Sequence, residues 1–300
     1  MKKELSRRKF IGTAALGAGA AILPSNVSAS DSAGIDEKTV QNLPPLKLGL
    51  MTYLIGSQWD LDTIIKNCTQ TKYLQAELRT GQKHGVEISL NKAQRQEVKQ
   101  KVADSALESI ALASAYSYHH PDQSALRADI EGTKQYLQLA ADVGAVGIRV
   151  FPNDLPDAVP EEKTMEQIGK SLAEVGKVGH DLGVEVRVCI HGRKTTQISV
   201  IKKILDYSQS PHVYLNWNCG QDDTRELGLQ GNYDLLKDRI TGVHLHDLDR
   251  ENYPYRDFFQ LLRLNGYKGF CNCEVSRVSC EPIEFMRSYR ALFLALQNVI

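Results

Sequence analysis

Polar side chains recur two residues apart near the ends of several short apolar runs, and that spacing puts them on one face of a strand. In V-E-V-R-V-C-I-H-G (184–192), Arg187, Cys189 and His191 share a face, while Val186, Val188 and Ile190 share the other. V-Y-L-N-W-N-C-G (213–220) pairs Asn216 with Asn218, and G-V-H-L-H-D-L (242–248) pairs His244 with His246. G-F-C-N-C-E (269–274) pairs Asn272 with Glu274, and Q-A-E-L-R-T (75–80) aligns Gln75, Glu77 and Arg79. Imidazoles exchange protons near neutral pH, and a carboxylate takes a proton or holds a cation. Guanidinium groups such as those of Arg79, Arg149 and Arg187 carry a fixed charge suited to an anionic sugar or an enolate oxygen. Ion pairing with Glu77 and Glu274 is the structural alternative for those arginines.

These clusters need elements that turn them toward one another. Strand-type runs at 46–53, 74–79, 109–115, 147–151, 184–190, 213–217, 242–246 and 269–274 alternate with helical patterns. The helical patterns fall at 60–69, 91–104, 128–143, 164–182, 199–207, 233–238, 255–264 and 282–296, the fourth opening on a capping-box-like Thr164-Met165-Glu166-Gln167. Eight strands, each followed by a helix, is the count of a closed (βα)8 TIM barrel, an α/β fold with its chemistry at the carboxyl ends of the strands. A doubly wound sheet is disfavoured because the first strand ends in Tyr53-Leu54-Ile55-Gly56-Ser57 without a G-x-G-x-x-G turn. In a parallel barrel covered by helices, the polar face of each strand is the interior. Its groups must be paired, hydrated or bound to a ligand. Loops after the strands add His84, His119 and His120, and Tyr53 is placed to stack on a ring. Trp217 has the parity of an outward, core-packed residue.

At these residues the chain resembles the xylose-isomerase-like TIM-barrel family, the sugar isomerase/epimerase superfamily that also includes endonuclease IV. The resemblance runs over about 46–298 and rests on A-E-L-R-T, V-C-I-H-G, L-N-W-N-C, V-H-L-H-D-L and Y-K-G-F-C-N-C-E. K-H-G-V-E (83–87) and Y-H-H-P-D (118–122) look like a subgroup of sugar phosphate isomerases. The family typically holds one divalent metal through Glu, Asp or Asn, His and Glu on its last four strands. Matched by position, that implies Glu274, His244 and Asn218, with Cys189 where the fifth-strand Glu stands. The resemblance therefore implies a cofactor of Zn, Mn or Mg, with Cys189 tilting the set toward Zn. It also implies proton abstraction next to a sugar carbonyl, with Glu274 as base and His191 or His246 as its acid/base partner. Glu77, Arg79, Arg149, Arg187, Asn216 and His119 are the substrate-contact candidates. The missing fifth-strand carboxylate favours one-base isomerisation or β-elimination over two-base epimerisation. The alternative is a non-catalytic carbohydrate-binding barrel that has lost its metal.

The 300 residues carry 36 basic and 36 acidic side chains, a balance that conceals two unlike parts. Residues 1–29 hold five basic groups and one acid, so the remainder has a net charge of −4. Ser6-Arg7-Arg8-Lys9-Phe10, an apolar stretch over 13–23 and Val27-Ser28-Ala29 form a twin-arginine signal peptide pattern. The expectation is export, to the periplasm or beyond, through the twin-arginine machinery, with cleavage leaving no stable membrane insertion. Residues 30–45 read as a linker and 46–300 as the single barrel domain. Export favours a free or oxidised sugar over a phosphorylated one. The acidic body disfavours nucleic acid as a partner, and a homo-oligomer is compatible with the sequence. The six cysteines read as buried small hydrophobes, with a Cys189–Cys219 disulfide geometrically open between adjacent strands.

Overall fold

In the computed structural model the structure describes residues 42–299, so residues 1–29, expected to be an export signal, and most of the expected linker lie outside the described residues. The barrel strands are β1 (Lys47–Met51), β2 (Gln75–Arg79), β3 (Ser109–Ser117) and β4 (Gly147–Phe151). They continue as β5 (Glu185–Cys189), β6 (Val213–Asn218), β7 (Ile240–Leu245) and β8 (Phe270–Cys273). Each strand pairs in parallel with its sequence neighbours, and β1 pairs with β8 to close the barrel.

The helices between them are α1 (Leu61–Thr71), α2 (Lys92–Ala103), α3 (Gln123–Val143) and α4 (Glu161–Leu182). After these come α5 (Ile198–Ser208), α6 (Gly228–Leu236), α7 (Tyr255–Leu264) and α8 (Pro282–Leu296). Local chemistry sets most of their ends. Asn91 and Gln94 form a reciprocal capping box on α2, and Gly144 and Gly183 close α3 and α4 in the left-handed conformation. α3 begins five residues before its apolar period, because the Asp122 carboxylate accepts from the backbone of Ser124 and Ala125. The expected capping box at Thr164 does not form. α4 starts after Pro160, and Thr164 is buried inside it.

The strand faces turned to the helices are apolar. Ile148, Val150, Val186, Val188 and Val243 are fully buried there, each contributing about 1.5–3 kcal/mol relative to exposure. Trp217 points outward as its parity requires and packs on Phe258 and Tyr233, at ring separations of 5.6 and 6.1 Å. All six cysteines are free thiols, five buried and Cys280 exposed, so the Cys189–Cys219 disulfide is not present.

The barrel interior has a floor of hydrogen-bonded side chains. Gln75 donates to Ser109 Oγ at 2.7 Å, and Asn272 donates to Gln75 and Glu77 at 3.1 and 2.7 Å. Gly49 on β1 makes room for this layer, since a Cβ there would lie 1.9 Å from Asn272 Oδ1. Gly49→Ala is expected to lower stability by about 1–3 kcal/mol through overpacking, measured as a shift in the urea unfolding midpoint. A midpoint unchanged within error would show that the floor is not tightly packed.

Candidate active site

Strand parity carries the polar side chains inward, and their distance along each strand decides whether they reach the floor or the mouth. A cavity of about 360 Å³ opens at the carboxyl ends of the strands. Of its lining, Arg79, Cys189, His191, Asn218, His246 and Glu274 are residues that the strand-end spacing singled out, and Arg149 is the fourth-strand arginine expected beside them. The loop beyond each strand matters here. Glu274 follows β8, His246 follows β7, and His191 lies two residues past β5.

Beneath them His244 is fully buried between two carboxylates. Its Nε2–H donates to Glu77 Oε2 at 2.8 Å, and its Nδ1 lies 2.9 Å from Glu274 Oε2. Burial opposes the imidazolium, but Glu77 and Glu274 outweigh it and raise His244 well above the usual imidazole range. Burial likewise pushes Glu274 up, yet His244 and then Arg149 hold it down to about 2. Arg149 approaches Glu274 at 3.9 Å, stacks over Phe151 at 4.2 Å and donates to the Ser114 carbonyl.

The mouth is differently poised. His191 packs against Phe151 at 4.8 Å, and burial, then the Arg149 charge, lower its pKa below the ordinary value. It is therefore neutral at neutral pH. His246 Nδ1–H donates to the Glu274 carbonyl at 2.9 Å, which fixes the tautomer and leaves Nε2 as the ring's exchangeable atom. Arg79 stacks on Tyr53 at 5.5 Å at the rim.

Other sequence candidates lie elsewhere. Glu77 is 3% exposed and belongs to the floor, where it holds His244 and does not line the cavity. Arg187 turns toward the opposite end of the barrel and pairs with Glu185 at 2.7 Å. Asn216 is buried and donates to Cys189 Sγ at 3.6 Å. His119 stacks beside His120 outside the cavity lining, and His120 contacts Asp129 at 3.1 Å. His84 is locked structurally, accepting from Val86 N–H at Nδ1 and donating through Nε2 to the Arg79 carbonyl.

Two contributors escaped the strand-end pattern. Phe151 backs both His191 and Arg149, and only its place at the end of β4 hints at this. Asp223, 1% exposed, accepts from Trp217 Nε1, Tyr253 OH and Gly220 N–H, and burial raises it to about 7. Its carboxylate pins the loop after β6.

The sequence profile of the xylose isomerase-like TIM barrel family matches residues 70–292. The chain belongs to that family. No curated protein matches the sequence. Among solved structures, 3-keto-D-glucoside 4-epimerase YcjR from E. coli, in its apo form, is similar over 83% of this chain and 99% of its own. The TM-score is 0.67 and the identity 16%. An L-ribulose 3-epimerase is similar over 84% of this chain and 96% of its own, with TM-score 0.70 and 14% identity. The IolI protein with a bound zinc atom is similar over 84% and 98%, with TM-score 0.69 and 13% identity. At these identities the likeness establishes a shared barrel.

A xylose isomerase-like barrel raises the question of a divalent metal. Asn218 Oδ1 is a buried atom without a hydrogen-bond partner, and it is in register with His244 on the adjacent strand, whose Nδ1 faces Glu274 Oε2 at 2.9 Å. With the Glu274 carboxylate beside His244, they would form an imidazole, amide and carboxylate set for one divalent cation that displaces the proton His244 shares with Glu274. Glu77 on the far nitrogen of His244 is the outer carboxylate that orients such a ligand. No three His, Cys, Asp or Glu side chains are grouped to hold a cation among the described residues, and Cys189, the expected fifth-strand donor, is buried beside the Asn216 amide. The third donor is the Asn218 amide. Glu77→Gln keeps an acceptor oxygen but removes its charge, and is expected to weaken Zn or Mn retention by about 10–100-fold, read by competition with a chromogenic chelator. Equal retention by both proteins would exclude this orienting role.

Proposed function

We propose that the protein is a carbohydrate isomerase or epimerase that removes a proton next to a sugar carbonyl; lyase chemistry would share that first step. The observation that carries the reading is one cavity lined by a neutral imidazole, His191, beside a fixed cation, Arg149. Its support also includes membership in the xylose isomerase-like family and the sugar epimerases among structures of similar fold.

The sequence suggested Glu274 as the base. Held at about 2 by His244 and Arg149, it is a weak proton acceptor, because a base works best with a pKa near the working pH. Proton abstraction therefore passes to His191. As the C–H bond breaks, its electron pair moves onto the carbonyl oxygen, where the Arg149 guanidinium stabilises the enolate. His246 Nε2 exchanges a proton with the substrate oxygen, while Glu274 holds Arg149 and His244 in position. A divalent cation on His244, Glu274 and Asn218 would polarise the same carbonyl when bound. The Ser6-Arg7-Arg8-Lys9-Phe10 motif supports export as the setting, with a free or oxidised sugar as substrate.

Incubation with a panel of aldoses, ketoses and ketosugars in D2O is expected to show solvent deuterium entering the carbon beside the carbonyl. His191→Asn is expected to reduce that exchange by about 10²–10⁴-fold. The base acts only when deprotonated, so kcat/KM falls as pH drops through the His191 pKa, below the ordinary imidazole range. A binding barrel without catalysis would show no exchange with any sugar. An unaffected His191→Asn variant would remove His191 from the role of base.

A further inference from the structure

A second cavity, of about 340 Å³, adjoins the first and shares Asn218 and His246 with it. Its own walls come from Ile190, Thr196, the segment Cys219–Asp223 and Arg225. Resting on the reading of the first cavity as a sugar site, we propose that the protein acts on a two-ring carbohydrate. The reacting sugar lies in the first cavity, a second polyol ring lies in the other, and the bond between them passes over Asn218 and His246.

Three observations support this. Each cavity lies near the lower end of the size range of ligand pockets, and because the two meet at Asn218 and His246 they offer together a longer site than either alone. The second cavity is built rather than incidental. Asp223 ties its wall to Trp217 and Tyr253, and the buried Asn232 amide donates to the carbonyls of Asp223 and Arg225 at 2.9 and 2.7 Å. Such a wall is preorganised, which lowers the ordering cost of binding.

The third observation is the chemistry of the lining. Asp222 accepts from Thr196 Oγ at 2.5 Å and pairs with Arg225 at 2.6 Å, so the cavity offers no unpaired cation for a phosphate or carboxylate. Its apolar side chains are Ile190 and Cys219 alone, too few to hold an aryl or acyl group. What remains is an array of amide, hydroxyl, carboxylate and guanidinium groups around Gln221, Thr196, Asp222 and Arg225, which matches the alternating donors and acceptors of a polyhydroxylated ring. His246 and Asn218, which line both cavities, mark where the two rings would meet.

The test compares affinities by calorimetry for glucose, galactose and xylose with those for cellobiose, maltose, lactose, trehalose and xylobiose. At least one disaccharide is expected to bind about tenfold or more tightly than its component monosaccharide. Gln221→Ala with Arg225→Ala, both exposed positions, is expected to abolish that preference while leaving monosaccharide affinity unchanged. Disaccharides that bind no more tightly than monosaccharides would overturn the two-ring proposal and leave the sugar site standing. So would a preference untouched by the double substitution. Absence of binding by every sugar in the panel would overturn both readings. Solvent deuterium exchange by the double variant on a monosaccharide substrate at the wild-type rate would confirm that the change is confined to the second cavity.

Discussion

The position of His244 between Glu77 and Glu274 is the constraint around which the rest of the barrel is arranged. A buried imidazolium or carboxylate left alone costs several kcal/mol, and removing one partner of a buried pair typically costs about 3–5 kcal/mol. The three groups are therefore mutually dependent. Strands β2, β7 and β8 must keep their register to a fraction of a residue to hold them. The neighbouring floor serves the same end. Asn272 occupies a lone pair of Glu77, Gln75 holds Asn272, and the absent side chain of Gly49 leaves them space.

That constraint divides the barrel interior into two levels with different chemistry. Below, polar groups are paired with each other, and Arg187 with Glu185 neutralises the far end. Above, His191, His246 and Arg149 have atoms left over for a ligand. Glu274 belongs to both levels. Its carboxylate is committed to His244 and Arg149, while its backbone carbonyl orients His246. A carboxylate so committed is a good positioning group and a poor base, which assigns proton transfer to the imidazoles.

The wall of the mouth is pinned with equal care. Asp223 is buried in the aromatic cluster outside β6, where Trp217 and Tyr253 supply the donors its charge needs. The outward core of the barrel and its polar mouth are thus joined through one side chain, so packing around Trp217 sets the shape of the second cavity.

The architecture was legible in the sequence because strand and helix periods are local properties. Alternation of Val186, Val188 and Ile190 with Arg187, Cys189 and His191 suffices to assign a strand and its inward face, and eight such units leave little choice of fold. The same parity identified the residues that converge at the mouth. Parity does not say how high along the axis a side chain reaches, nor whether it points up or down. Arg187 and His191 share a face and end at opposite levels, and Glu77, expected to touch substrate, lies beneath His244. The pairing of Glu274 with His244, separated from it by a full strand-helix-strand unit, depends on the closed register and could not be read from spacing. Composition and periodicity determined that this is a barrel with a polar interior. The three-dimensional neighbours of each charge, through burial and coulombic coupling, decided which of those groups hold the site together and which are left to act on a ligand.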